Sequence, residues 1–222
     1  MTKMDDVGAE IVWWEKSVEY TFIAEMVWRD MFTWAAPLAG NPETALGDAI
    51  TDWDGRLLLI EFKRDSESLT SEYKKYSLQE DFESTFLAYN DAKAILGEHK
   101  GVAAHGLIYG QLNERQLKLR AVPYWETSKN AVDVDEWCDT SGVSQVDFEE
   151  YLVELSSLRF TMSEMVSGAG GSSGSSGSGS FVVGIGKDKR SFALQLERYV
   201  NLRPKLTLTL KEEQRMSFDF TP

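Results

Sequence analysis

The sequence predicts an α/β chain in which a central mixed β-sheet is flanked by helices. Three observations carry this. Leu57, Leu58, Leu59 and Ile60 are apolar at consecutive positions, as expected of a strand covered on both faces. Segments with helical apolar spacing lie on either side of it in the chain. The 222 residues are 42% hydrophobic and 12% aromatic, which supplies a packed core and excludes whole-chain disorder.

The elements follow in order. Residues 9–34 carry helical spacing through Trp14, Val18, Phe22 and Met26. The tryptophans of this region, Trp13, Trp14, Trp28 and Trp34, read as core or interface anchors. Pro37, Gly40, Asn41 and Pro42 break the helix. A short strand is expected near 45–51, a turn at 52–55 marked by Asp54-Gly55, and a strand over 56–63. Residues 77–97 read as a helix that stops at Gly97. Residues 103–112 and 116–125 read as two strands, and 144–158 as a further helix. The order α-β-β-α-β-β-α suits a sandwich of helices around a mixed sheet.

The chain divides at residues 168–180, GAGGSSGSSGSGS. This composition buries no apolar surface and reads as a flexible linker with a span of about 20 Å. Its regularity resembles that of an engineered connector, with a natural low-complexity loop as the alternative. The core is then 1–167 and the tail 181–222. In the tail, FVVGIG and LTLTL read as strands and SFALQLERYV as a short helix. A segment this short rarely folds alone, so it is expected to dock on the core, covering or extending its sheet.

Charge narrows the function. Acidic residues outnumber basic ones 36 to 23, a net charge of −13. That argues against a broad coating of nucleic acid, which takes a basic excess. The tail alone is basic, so any contact with a polyanion is local. One cysteine, Cys138, excludes an internal disulfide, and two histidines leave little for zinc or His-based triads. No apolar run is long enough to cross a bilayer, and the N-terminus lacks a signal-peptide pattern. A cytoplasmic location without membrane contact is expected.

The chemistry sits on the predicted hairpin. Glu61 and Lys63 are two apart on one strand and project from the same face. Asp48, on the partner strand, reaches the mouth of that face. Two converging carboxylates favour a hard cation, and Mg²⁺ or Mn²⁺ suits them; the Phe62 carbonyl offers a third oxygen. Lys63 then lies where it orients water or stabilises phosphate charge.

Gly47-Asp48, followed thirteen positions after Asp48 by Glu61-Phe62-Lys63 at the end of an apolar strand, resembles the motif of the PD-(D/E)XK nuclease superfamily. Leu46-Gly47 stands where a Pro often precedes the Asp. The resemblance covers about residues 10–125 and implies a restriction-endonuclease-like sandwich. It implies a metal-dependent nuclease, with Asp48, Glu61 and Lys63 catalytic and Asp48, Glu61 and Phe62 on the metal. Many members add a Glu from the preceding helix. Glu19 and Glu25 are the candidates; they lie about 240° apart around a helix and cannot both face the site, and Glu19 matches the usual placement better and is the expected metal ligand. Gln79 falls where some members place a polar residue on the second helix.

Arg64, Lys74, Lys75 and Tyr73 follow the strand closely and form a small basic-aromatic patch suited to a phosphate backbone. The expected substrate is nucleic acid, DNA in preference to RNA. A protein partner and a homodimer are both compatible with the sequence. The competing reading is a non-enzymatic acidic adaptor, or a subunit of a defence or effector complex, on the same fold.

Overall fold

The computed structural model describes residues 13–38, 47–77, 79–113, 116–167, 181–186 and 191–195. Gly40, Asn41 and Pro42, the loop residues 114–115, the Gly/Ser segment 168–180 and the LTLTL segment at 206–210 lie outside the described residues.

The strands are β1 (Trp34–Pro37), β2 (Ala49–Trp53), β3 (Arg56–Lys63), β4 (His105–Asn113), β5 (Gln116–Pro123), β6 (Val132–Asp133), β7 (Phe181–Gly186) and β8 (Ser191–Gln195). They form one mixed sheet in the order β6-β5-β4-β3-β2-β1-β7-β8. Six strands make its body, and the hairpin β7–β8 extends it through Trp34↔Gly186 and Ala35↔Ile185. The β3–β4 pair is parallel, and the other pairs are antiparallel. A parallel pair needs a long crossover. Here the 3-10 helix Ser66–Tyr76, the helix Phe82–Leu96 and the 3-10 helix Lys100–Ala104 carry it.

The helices are α1 (Glu15–Trp28), α2 (Phe82–Leu96), α3 (Val134–Thr140) and α4 (Gln145–Ser167). No described helix is long and apolar enough to cross a membrane. α1 is shorter than the spacing predicts. Asp30 adopts φ 58°; Met31 N–H donates to Met26 O and Asp30 N–H to Val27 O. That left-handed cap ends the helix and releases residues 34–37 to pair with β2. Trp14 and Trp28 are exposed rather than core anchors. α2 starts at 82 rather than 77 because Asp81 caps it, accepting from Ser84 N–H at 2.8 Å. Asp65 caps the preceding 3-10 helix through Ser68 N–H at 2.9 Å.

The tail differs from expectation at one element. Residues 191–195 form a strand, not the start of a helix, paired from Phe181↔Gln195 to Ile185↔Ser191. Phe192 and Leu194 alternate with Ser191, Ala193 and Gln195, a period of two that a strand uses and a helix does not.

β3 is buried on both faces, as the four-residue apolar run requires. Leu57 and Leu59 pack with Tyr89, Ala92 and Leu96 of α2 and Phe148, Tyr151, Leu152 and Leu155 of α4. Leu58, Ile60 and Phe62 pack on the opposite face with Val18, Phe22 and Met26 of α1 and Trp137 and Cys138 of α3. Glu61 and Lys63 continue the first of these faces, so the hairpin's charges enter the layer between sheet, α2 and α4.

Candidate active site

The hairpin places the three sequence-selected residues. β2 and β3 pair from Ala49↔Ile60 to Trp53↔Arg56. The turn is tight because Asp54 and Gly55 both take positive φ, 52° and 79°. At the other end Asp48 N–H donates to Ile60 O at 2.9 Å, and Phe62 N–H donates to Asp48 Oδ2 at 2.5 Å. Gly47 makes this approach possible. It sits at φ 156°, and a Cβ there would lie 3.2 Å from Leu59 Cδ1, 3.3 Å from Ile60 O and 3.5 Å from Glu61 Cδ.

Glu61 is fully buried. Its Oε1 accepts from Arg159 Nη1 at 2.8 Å and its Oε2 from Lys75 Nζ at 2.7 Å. Lys63 Nζ lies 2.7 Å from Glu72 Oε1 and 3.7 Å from Glu15 Oε2. Glu72 Oε2 in turn meets Lys75 at 2.9 Å and Arg159 at 3.6 Å. Hydroxyls close the network in one direction. Arg159 Nε donates to Tyr76 at 3.2 Å, Tyr76 to Tyr124 at 3.0 Å, and Tyr124 to Glu72 Oε2 at 2.9 Å, while Arg159 Nη2 also donates to Tyr124 at 2.6 Å. Asp48, Glu61 and Glu72, with Glu15 at the rim beside Lys63, thus stand with Lys63, Lys75 and Arg159, four carboxylates with three cations.

The protonation tendencies follow from burial against these charges. Burial raises Asp48, and the Phe62 N–H and the Lys75 and Lys63 charges offset this only in part. Burial and the Glu72 charge hold Glu61 above the usual carboxylate range against Lys75 and Arg159. For Glu72, burial is outweighed by Lys75, Lys63 and Arg159, which bring its carboxyl down to about 2. Burial disfavours the Lys63 ammonium, yet Glu72 and Glu61 raise it above the ordinary lysine value. The pair of glutamates is split, with Glu72 the firmly ionised member.

The other sequence candidates take different positions. Glu19 is buried on α1 and pairs with Lys16 at 2.5 Å; Glu25 is half-buried on the same helix. α1 packs against the even-numbered face of β3, so its carboxylate at the network is Glu15, at Lys63. Gln79 is exposed ahead of α2, its backbone N–H on Ser77 Oγ. Tyr73 is buried against Phe82, Phe86 and Tyr89, so it offers no face to a base. Lys75 turns inward, and the surface patch reduces to Lys74 and Arg64, the latter held by Asp65 at 2.6 Å.

Glu72 and Arg159 are the residues that sequence reading missed, and each left a signal. Leu69, Glu72, Tyr73 and Tyr76 are the buried positions of their 3-10 helix, a helical apolar stripe with a carboxylate in it. Phe148, Tyr151, Leu152, Leu155 and Arg159 form the buried stripe of α4, which was expected to end at 158.

The donor types here, though not their spacing, are those a divalent ion takes. Asp48 and Glu61 are hard oxygen donors. Glu72 Oε1 is buried with no aligned hydrogen-bond donor despite the nearby Lys63 ammonium. Lys75 already places a cation between Glu61 and Glu72. Among the described residues, no three His, Cys, Asp or Glu side chains converge at metal-ligand geometry. Comparison of the chain with protein-family models, curated proteins and solved structures finds no match.

Proposed function

We propose that the protein is a metal-dependent phosphodiesterase acting on nucleic acid, with DNA favoured, built as a restriction-endonuclease-like member of the PD-(D/E)XK superfamily. The observation that carries this is the junction of β2 and β3. Asp48 is tied to Phe62 N–H, and Glu61 and Lys63 flank Phe62 on one strand face. Asp48, Glu61 and the Phe62 carbonyl would hold Mg²⁺ or Mn²⁺, which supplies charge to polarise a phosphoryl oxygen and activate water.

The chain's own groups do the rest. Glu72 keeps Lys63 charged and fixes its ammonium, so Lys63 can donate to a non-bridging oxygen as negative charge grows there. In hydrolysis the water oxygen forms a bond to phosphorus and gives up a proton to solvent, the bond to the leaving ester oxygen breaks, and that oxygen takes a proton from solvent. Arg159 and the Tyr76–Tyr124 hydroxyls hold Glu61 and Glu72 in place without touching substrate.

The test is incubation with plasmid DNA, single-stranded DNA and RNA under Mg²⁺, Mn²⁺ or EDTA. Cleavage should need the metal and fall by about a hundred-fold or more in Asp48→Asn, Glu61→Gln and Lys63→Met. Undiminished cleavage by all three variants would overturn the assignment.

One observation favours the adaptor reading instead: the network's charges already neutralise one another under a nearly complete cover. Mn²⁺ calorimetry separates the two. An adaptor shows no uptake, alone or with an oligonucleotide, whereas a hydrolase takes up the ion and loses affinity in Glu61→Gln.

A further inference from the structure

We propose that the Lys75 ammonium is the resident cation of this site, and that a divalent ion enters by exchange, with Lys75 leaving as the metal binds. The inference rests on the hydrolase reading above and adds to it how the site is occupied when no metal is bound.

Position is the first argument. Lys75 Nζ bridges two different carboxylates, 2.7 Å from Glu61 and 2.9 Å from Glu72, and it is the charge that acts most strongly on Asp48. It therefore stands between the two glutamates and occupies one of the two Glu61 carboxylate oxygens. Arg159 reaches Glu61 from the α4 side, and Lys63 reaches Glu72 from β3; each bonds one carboxylate closely.

Charge is the second. Asp48, Glu61 and Glu72 face three cations, with Glu15 a fourth, half-exposed carboxylate beside Lys63. Adding a dication beside Lys75 would set like charges together in a poorly solvated space. Losing the ammonium as the dication arrives raises the site's charge by one unit rather than two, which an incoming phosphate offsets.

Mobility is the third. The Lys75 side chain is 27% exposed, against 9% for Lys63 and 2% for Arg159. It is also the penultimate residue of the 3-10 helix, a helix type with weak hydrogen-bond geometry. Its four-carbon stem can turn to solvent by rotamer change alone. The other two cations are more deeply packed.

The experiment is Mn²⁺ calorimetry on the full chain without nucleic acid, comparing wild type with K75M and K75R, alongside melting curves with and without the ion. K75M removes the competitor and should bind Mn²⁺ about ten-fold more tightly. K75R, whose guanidinium grips two carboxylates, should bind more weakly than wild type. Metal-free K75M should melt below wild type, and Mn²⁺ should raise its melting point by more. If K75M fails to fold, K75Q carries the same comparison. Equal or weaker Mn²⁺ binding by the neutral variant, with Glu61→Gln still abolishing uptake, overturns the exchange and leaves the hydrolase reading standing. Absence of uptake in every variant at millimolar Mn²⁺ overturns both.

Discussion

Arg159→Met is the sharpest test of the buried network. The guanidinium is 2% exposed and holds Glu61, whose side chain is fully buried, at 2.8 Å. Removing one partner of such a pair strands a carboxylate in a low-dielectric layer, a cost of about 3–5 kcal/mol. The Tyr76 and Tyr124 hydroxyls lose a donor each, and the cation over their rings, 5.5 and 5.3 Å from the centroids, goes too. Met retains some packing against those rings, and Lys75 still holds the other Glu61 oxygen. These offsets leave about 3–5 kcal/mol as the expected loss, read by urea unfolding at neutral pH, with a melting point lower by roughly 10 °C. The deficit has a pH signature. Without Arg159 the Glu61 carboxyl rises further above its unfolded value. A carboxyl raised in the folded state destabilises as pH climbs above the unfolded carboxylate range, so the variant should recover part of its loss on acidification. Glu61→Gln combined with Arg159→Met should cost less than the sum of the two single changes. A single-variant loss under about 1 kcal/mol, or additive costs, would refute a buried ion pair here.

Two further outcomes test the layers around the site. Gly106→Ala should lose about 1–3 kcal/mol or more, because a Cβ there would run into the ring of Trp137, which is 3% exposed and cannot retreat; a melting curve matching wild type contradicts that packing. His105 is buried, stacked on Tyr124 and bonded to Tyr151 at 2.7 Å. Burial, then the Arg159 and Lys75 charges, hold it well below the ordinary imidazole value. A base lowered in the folded state stabilises above its unfolded pKa and loses that contribution as pH falls below it. Stability should therefore drop below about pH 6.5, by up to about 1.4 kcal/mol per unit, and His105→Phe should flatten the slope; identical slopes for the two proteins refute the buried neutral imidazole.

What the sequence could reveal was local. Four adjacent apolar residues declared β3, Asp54-Gly55 declared its turn, and strand parity put Glu61 and Lys63 on one face. Each of these depends on residues within a few positions of one another. The errors came where a distant contact decides. Residues 34–37 pair with β2 and β7, which no window of sequence displays, whereas the strand 191–195 carries its period of two locally and pairs with the neighbouring β7. Val132–Asp133 and the short α3 were unread, being too brief to carry periodicity. Arg159 is 98 residues from Glu61. An arginine on a helix stripe reads as solvent-facing until a carboxylate is known to wait beneath it, and Glu72 was hidden in the same way among Tyr73, Lys74 and Lys75.

The composition of this layer bears on why it exists. β3 fills the same face with Leu57 and Leu59, so the chain could have continued with leucine. Apolar replacement of a buried ion pair is often neutral or stabilising, whereas deletion of one member is strongly destabilising. A network with that profile adds little net stability yet ties every member to its neighbours, so stability alone is a poor reason for it. An adaptor presents its distinguishing groups on the surface, where a partner meets them. Here the concentrated charge lies under the strand ends, away from any protein face, and only Lys75 among its cations is partly open to solvent. On that physical ground the hydrolase reading stands ahead of the adaptor.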